Sequence, residues 1–269
     1  MIPYFKAPDL SLFGVKLHPF GMLIAAAIYL GYHLAKRRAR VDGLDAELTG
    51  RALVWMVAAA FVGGHLVEVL LYYPERVLEK PLTLLAIWTG LSSFGGFIGA
   101  ALVMVIFFRR KGESVLAHCD AIMYGLAPAW ILGRLGCSIV HDHPGLRSDF
   151  FLAVAFPGGA RHDLGFYEML LTVGLTVVLL LVRNRRPFRG FATGLILVLY
   201  APARFGFDFL RTTDRTYLGL TPAQYMAAAA LVLGVVLLAR GSARRRQEAA
   251  QPAPPSLIPN CDQPGPAAS

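Results

Sequence analysis

Two arginines stand in stretches too apolar to solvate them. Arg134 lies in Gly133-Arg134-Leu135-Gly136, and Arg204 is followed by Asp208 and Arg211. A charge deep in a bilayer is costly and faces a cavity or a partner, so these residues mark an internal ion pair or an anion site. The spacing i, i+4, i+7 puts Arg204, Asp208 and Arg211 on one helical face. In one reading Asp208 simply neutralises Arg204. In the other, Arg134, Arg204 and Arg211 converge on a phosphate, which planar guanidinium groups bind in bidentate fashion. The glycines beside Arg134 would let backbone or ligand approach closely.

The segment after Arg134 holds more chemistry. Cys137, His141, Asp142 and His143 fall just before Pro144 and Gly145. An imidazole oriented by a carboxylate is a common general base, so His141 or His143 with Asp142 is a candidate for proton transfer. A solvated polar loop is the plainer reading. The same side chains, joined by His118 or Cys119, have ligand types that suit Zn²⁺ or Cu⁺, on spacing that is weak support by itself. Elsewhere in apolar runs stand His18, His65, Glu68, His118, Asp120 and the pair Tyr167-Glu168. His65 and Glu68, at i and i+3, are expected to satisfy each other.

The elements that must position these groups follow from composition. Of 269 residues, 56% are hydrophobic and 16% charged, with a mean hydropathy of +0.54. These values point to a chain solvated by lipid. Seven apolar runs reach the ~20 residues that a hydrocarbon core of about 30 Å requires, near residues 18–35, 52–72, 83–108, 115–134, 164–182, 190–210 and 221–239. The expected fold class is all-α, a polytopic membrane protein of about seven helices over residues 1–246. Gly63-Gly64 and Gly95-Gly96 interrupt two of the runs and fit closely packed or broken helices near a site. Trp55, Trp88 and Trp130 read as interface anchors or packing residues. No internal repeat is visible, which weakens an inverted-repeat transporter.

The formal net charge of +9 is concentrated beside the apolar runs, where it sets orientation, and no nucleic-acid partner is expected. One set of alternate loops holds Lys36, Arg37, Arg38, Arg40, Arg51, Arg109, Arg110, Lys111, Arg183, Arg185, Arg186, Arg189, Arg240 and Arg244 to Arg246, sixteen cations in all. The other set holds eight, Lys6, Lys16, Arg76, Lys80, Arg147, Arg161, Arg211 and Arg215. Short basic loops stay cytoplasmic, so the N-terminus is expected outside, the C-terminus inside, and a small segment near 141–163 on the extracytoplasmic face. The first run ends in Lys36-Arg37-Arg38 without a cleavage site and is read as a retained anchor. Cys119, Cys137 and Cys261 imply no disulfide framework. Residues 247–269, rich in Pro, Ala, Gln and Ser, read as a disordered cytoplasmic tail.

With these residues in order, the chain resembles the bacterial prolipoprotein diacylglyceryl transferases over most of its length. Leu17-His18-Pro19-Phe20-Gly21 is similar to that family's first-helix motif. Trp88-Thr89-Gly90 and Ser92-Ser93-Phe94-Gly95-Gly96-Phe97-Ile98-Gly99 resemble its Trp-x-Gly and Ser-Phe-His-Gly-Gly-x-Ile-Gly stretch. Gly133 to Gly145 has the length and outer residues of the signature Gly-Arg-x-Gly-Asn-Phe-x-Asn-x-Glu-x-x-Gly. Arg161-His162 and Tyr167-Glu168 resemble Arg-His-Pro-x-x-x-Tyr-Glu, and Arg204, Asp208 and Arg211 match the sixth-helix pattern. The departures are Phe94 for a functional His, Phe20 for a functional Tyr, Cys137 and Val140 for the two signature Asn residues, and Asp142 for the signature Glu.

The resemblance implies transfer of a diacylglyceryl group from phosphatidylglycerol to the lipobox cysteine of a preprolipoprotein, within the bacterial cytoplasmic (inner) membrane. Its implied partners are phosphatidylglycerol, the lipobox peptide and membrane lipid, with no metal or nucleotide cofactor. It points to Arg134, Gly133, Gly136, Gly145, Arg204, Arg211, Gly95 and Gly96 as the lipid-binding set. With Phe94 unable to act as a base, His141, His143, Asp142 and Arg204 are the catalytic candidates. The replaced positions leave open a relative that binds anionic phospholipid without turnover, or one that serves a different acceptor.

Overall fold

The computed structural model describes residues 1–250, apart from 6, 7, 9, 13, 14, 87–89, 186, 213 and 214. Trp88, Thr89, Cys261 and the tail beyond Ala250 therefore lie outside the described residues. Among the described residues, seven helices of 18 residues or more make up most of the structure: α1 (Pro19–Val41), α2 (Ala46–Val67), α4 (Ser93–Arg110), α5 (Val115–Val140), α6 (Leu164–Leu181), α7 (Phe191–Asp208) and α8 (Pro222–Ala250). A short α3 (Pro74–Glu79) lies between α2 and α4. Five of these helices, α2, α4, α5, α6 and α8, are long and apolar enough to cross a membrane. Several boundaries differ from the sequence expectation: α1 runs on to Val41, α2 begins at Ala46 and α5 continues to Val140. The run beginning near residue 83 opens with a 3₁₀ turn over Pro81–Leu85, and its α-helix begins only at Ser93. At the other end α8 continues through Gln247 to Ala250, because the basic stretch after Arg240 contains no Gly or Pro after Gly241 to stop it before that point.

The helices associate in pairs, α1 along α5, α2 along α4, and α7 along α8, while α6 packs on α5. Each of the three pairs meets at glycines on both helices. A Cβ at Gly95 would stand 2.2 Å from the Gly63 carbonyl oxygen, one at Gly125 2.5 Å from that of Gly31, and one at Gly234 3.0 Å from that of Gly194. Lipid supplies no hydrophobic drive between helices, so the contact that holds them is close backbone packing. Gly95 and Gly96, expected in the lipid-binding set, serve this α2–α4 contact.

The segment after α5 is not helical. Pro144–Arg147 (β4), Val154–Phe156 (β5) and Gly159–Asp163 (β6) join Ile2–Pro3 (β1) in a small sheet of order β1-β5-β6-β4. The β5–β6 hairpin pairs Phe156 with Gly159 across Pro157-Gly158, with Gly159 at φ +111°. Such a turn needs a residue that tolerates positive φ. A second hairpin, Leu10–Leu12 (β2) with Val15–Leu17 (β3), precedes α1.

At the ends carrying the basic loops, polar side chains cap the helices. Asp45 accepts from Leu48 N at 2.8 Å to start α2, and this bond holds its carboxyl below the usual range. Asp120 receives Gly190 N, Thr193 N and the Thr193 hydroxyl at 2.7–2.9 Å, anchoring the start of α7. Buried His118 bonds Thr49 at 2.9 Å and stacks on Phe108. His118 and Asp120 are thus structural.

Candidate functional site

At the opposite ends of α4, α5, α6 and α7, the arginines of the sequence come together. Arg134 on α5 pairs with Glu168 on α6 at 2.7 Å. Glu168 also faces Arg204 on α7 at 3.7 Å, and Arg204 pairs in turn with Asp208. Asp208 accepts from the Thr221 hydroxyl at the start of α8 and lies 3.4 Å from the Arg211 Nε. Arg134, Glu168, Arg204 and Asp208 are all buried. Both sequence readings therefore hold in part: the intrahelical pair exists, and the arginines also converge. Glu168 and Thr221 complete a network that neither residue's local spacing discloses.

A cleft of about 270 Å³ opens beside this network. Arg204, Arg211 and Thr212 form one wall. Ser92, Ser93 and Phe94 at the N-terminus of α4 form another, and Glu68, Tyr72 and Tyr73 a third. Glu68–Tyr72 is a π-helical turn that ends α2, a device found often at functional sites. Asp142, His143 and Pro144 complete the lining. The volume lies below the ~300–1,000 Å³ of sites that enclose drug-sized ligands, so it suits a small polar group. Phe94 sets its ring 5.2 Å from the Arg204 guanidinium carbon. A cation over an aromatic face is favoured, so Phe94 supports the arginine and offers no proton acceptor. Across the cleft rim, Arg215 pairs with Glu75 at 3.0 Å and the Tyr217 hydroxyl donates to the Leu71 carbonyl at 2.6 Å.

The two histidines after α5 take different places. His141 ends the helix in the left-handed region, at φ 52°. Its Nδ1 meets Asp163 at 2.5 Å and its Nε2 the Phe5 carbonyl at 2.9 Å, and its ring stacks on Tyr4. Both nitrogens face acceptor oxygens, so neither is placed to take a proton from a substrate. Asp163 also caps α6 by accepting from Phe166 N at 3.0 Å. His141 and Asp163 thus pin together β1, the end of α5 and the start of α6. His143, by contrast, lines the cleft and is engaged at Nδ1 by Asp142.

The predicted glycines divide as well. Gly145 sits in a β-bridge with Arg211, and Leu146 N donates to the Leu210 carbonyl at 2.9 Å, tying β4 to the arginine wall. Gly133 and Gly136 turn toward Ile24 and Phe20 of α1, away from the cleft. His65 bonds the Thr83 carbonyl at 2.9 Å. In β6, His162 meets the Tyr167 hydroxyl at 2.8 Å, and burial pulls its pKa below 6.5. Asp163 is the residue that sequence reasoning missed. An Asp just before an apolar run is a cap signal, but nothing in the spacing joins it to His141.

Comparison with known proteins places this arrangement. Residues 9–240 match the family described as prolipoprotein diacylglyceryl transferase. A phosphatidylglycerol–prolipoprotein diacylglyceryl transferase of Agrobacterium fabrum is 32% identical over 246 residues, covering 85% of each chain. Its counterpart from Janthinobacterium sp. is 32% identical, covering 85% of this chain and 92% of its own. The one from Chromohalobacter salexigens is 31% identical, covering 74% and 76%.

Proposed function

Since the chain belongs to the prolipoprotein diacylglyceryl transferase family, we propose that it transfers a diacylglyceryl group from phosphatidylglycerol to the cysteine thiol of a preprolipoprotein lipobox. The observation that carries this reading is the single cleft where Arg204 and Arg211 meet the Asp142–His143 pair. The reaction needs an anion site and a site for a thiol proton within reach of one substrate. The acceptor sulfur attacks the glyceryl carbon bound to the phosphate oxygen. As the C–S bond forms, the C–O bond breaks, and its electron pair leaves on glycerol phosphate.

Each part of the site has a role in that step. Arg204 and Arg211 hold the phosphate and stabilise the charge that grows on the leaving oxygen. The N-terminus of α4, the positive end of its dipole, adds to that field. Arg134 acts through Glu168, fixing the carboxylate that braces Arg204. His143, oriented by Asp142, handles the thiol proton, while His141 positions the turn that carries the pair. Gly145 keeps β4 against Arg211.

The topology that fits is seven crossings of the bacterial cytoplasmic membrane, with the N-terminus outside. The sixteen-to-eight loop bias supports it, as does the position of the cleft at the helix ends remote from the basic loops. An exported cysteine and an outer-leaflet headgroup would then meet at the cleft. Expression in a bacterium depleted of its own transferase tests the function. Restored lipoprotein modification and growth are expected, and protein that accumulates in the membrane without restoring either would overturn the reading.

A further inference from the structure

Two of the departures from the family pattern, Cys137 and Asp142, meet His143 at one point. Cys137, Asp142 and His143 present one sulfur, one carboxylate oxygen and one imidazole nitrogen, all within 4.8 Å of one another. Cys137 is rooted in α5 against the backbone approach of Gly165, whose Cβ would meet Cys137 at 2.9–3.0 Å. Asp142 and His143 reach from the turn beyond and line the cleft. The rigid helix end and the more exposed turn thus offer donors from two directions.

We propose that Cys137, Asp142 and His143 bind a zinc ion whose fourth position opens into the cleft. This deepens the transferase reading and rests on it for the identity of the fourth ligand, the acceptor thiol. Thiolate, imidazole and carboxylate are the ligand types that zinc takes, and three protein ligands with one open position are the pattern of its catalytic sites. Bonds of about 2.0–2.3 Å in a tetrahedron set donors roughly 3.3–3.8 Å apart. The three donors lie within 4.8 Å of one another, with His143 Nδ1 hydrogen-bonded to Asp142, and rotation of the half-exposed Asp142 and His143 side chains would exchange that bond for the ion.

Charge supports a cation at this place. Among the described residues, the cleft and the network behind it hold Arg134, Arg204 and Arg211 against Glu68, Asp142, Glu168 and Asp208. One negative charge is in excess, the wrong sign for a phosphodiester. A divalent ion with Cys137 as thiolate removes that excess. Arg134 Nη1 stands 4.0 Å from the Cys137 sulfur, a fixed positive charge that opposes a cation there; its pairing with Glu168 blunts the opposition.

Zinc would also supply what Phe94 cannot, and with His143 and Asp142 as its ligands it would take over the proton step assigned to that pair above. A thiol that coordinates zinc is deprotonated. The metal–sulfur bond forms, the S–H bond breaks, and the proton passes to water at the cleft mouth, leaving the sulfur as nucleophile.

The test uses the full chain purified in detergent. About one equivalent of zinc per chain is expected by elemental analysis. Replacement by Co²⁺ should give a sulfur-to-cobalt charge-transfer band. Cys137→Ser should abolish that band, His143→Ala should weaken zinc binding by ~100-fold, and Cys119→Ser should change neither. Absence of stoichiometric zinc, or zinc binding that survives both Cys137→Ser and His143→Ala, overturns the site. Glycerol phosphate release, measured after chelation and again after zinc is restored, separates this inference from the transferase reading. Activity that persists without metal sinks the zinc site and leaves the transferase reading standing. Stoichiometric zinc with no release in either state keeps the site and sinks the transferase.

Discussion

The charge network between α5, α6 and α7 and the turn that follows α5 are built to different standards. In the network every charged group is shared. Glu168 faces two arginines, and Asp208 meets Arg204, Arg211 and Thr221. Four of its five charged residues are buried on helices. In the turn, Asp142 and His143 touch chiefly each other and the cleft, and the segment is held at its root by His141 on Asp163. Removing one partner from a buried set strands a charge. Changing a half-exposed turn residue strands nothing. The arginines of the network match the family pattern, while the departures fall both on the turn, at Asp142, and at the buried helix positions Phe94 and Cys137.

That contrast can be broken most strongly at Arg204. Arg204→Ala should lower kcat/KM for glycerol phosphate release by about 1,000-fold and, by stranding Asp208 and Glu168, destabilise the fold by ~3–5 kcal/mol. Arg204→Lys, which keeps the charge without the fork, should recover the melting temperature more than the activity. Glu168→Gln keeps the shape and leaves Arg134 unpaired; thermal unfolding in detergent should show a loss of ~3 kcal/mol. On the turn, His143→Ala should cost about 100-fold in kcat with a smaller loss of melting temperature than the network variants and an unchanged KM for phosphatidylglycerol. Asp163→Asn removes the charge that holds His141 and weakens a helix cap, so a stability loss of ~1–2 kcal/mol should exceed its effect on kcat.

The smallest effect concerns pH. Burial lowers the pKa of His162 in the fold, so the unfolded chain binds its proton more readily. Stability from this group is therefore full above about 6.5 and declines as pH falls below it. Melting temperatures from pH 7.5 to 5.5 should fall more for the wild type than for His162→Gln, and equal slopes would remove His162 from the account.

Much of this was legible in the residues. The apolar runs pointed to a mostly helical membrane protein, and five helices among the described residues are long and apolar enough to cross a membrane, since lipid demands length and hydropathy that no other element supplies. Arg134 and Arg204 stood out because charges are rare in such runs, and Arg211 through its helical spacing from Arg204 and Asp208. The small sheet was less visible: Pro157-Gly158-Gly159 signals a turn, but β4 to β6 span only three to five residues each, too short for a clear alternation. Two relations lay beyond spacing altogether. One is the 22-residue separation of His141 and Asp163. The other is the meeting of Glu68 with Arg204 at one cleft. Each joins elements that only the packed bundle brings together.

The central claim is turnover at that cleft. Purified protein in detergent, given phosphatidylglycerol labelled in its headgroup glycerol and a lipobox peptide, should release labelled glycerol phosphate in step with the appearance of a thioether on the peptide cysteine. A folded protein that retains phosphatidylglycerol yet releases no glycerol phosphate and leaves the peptide thiol free would contradict the account.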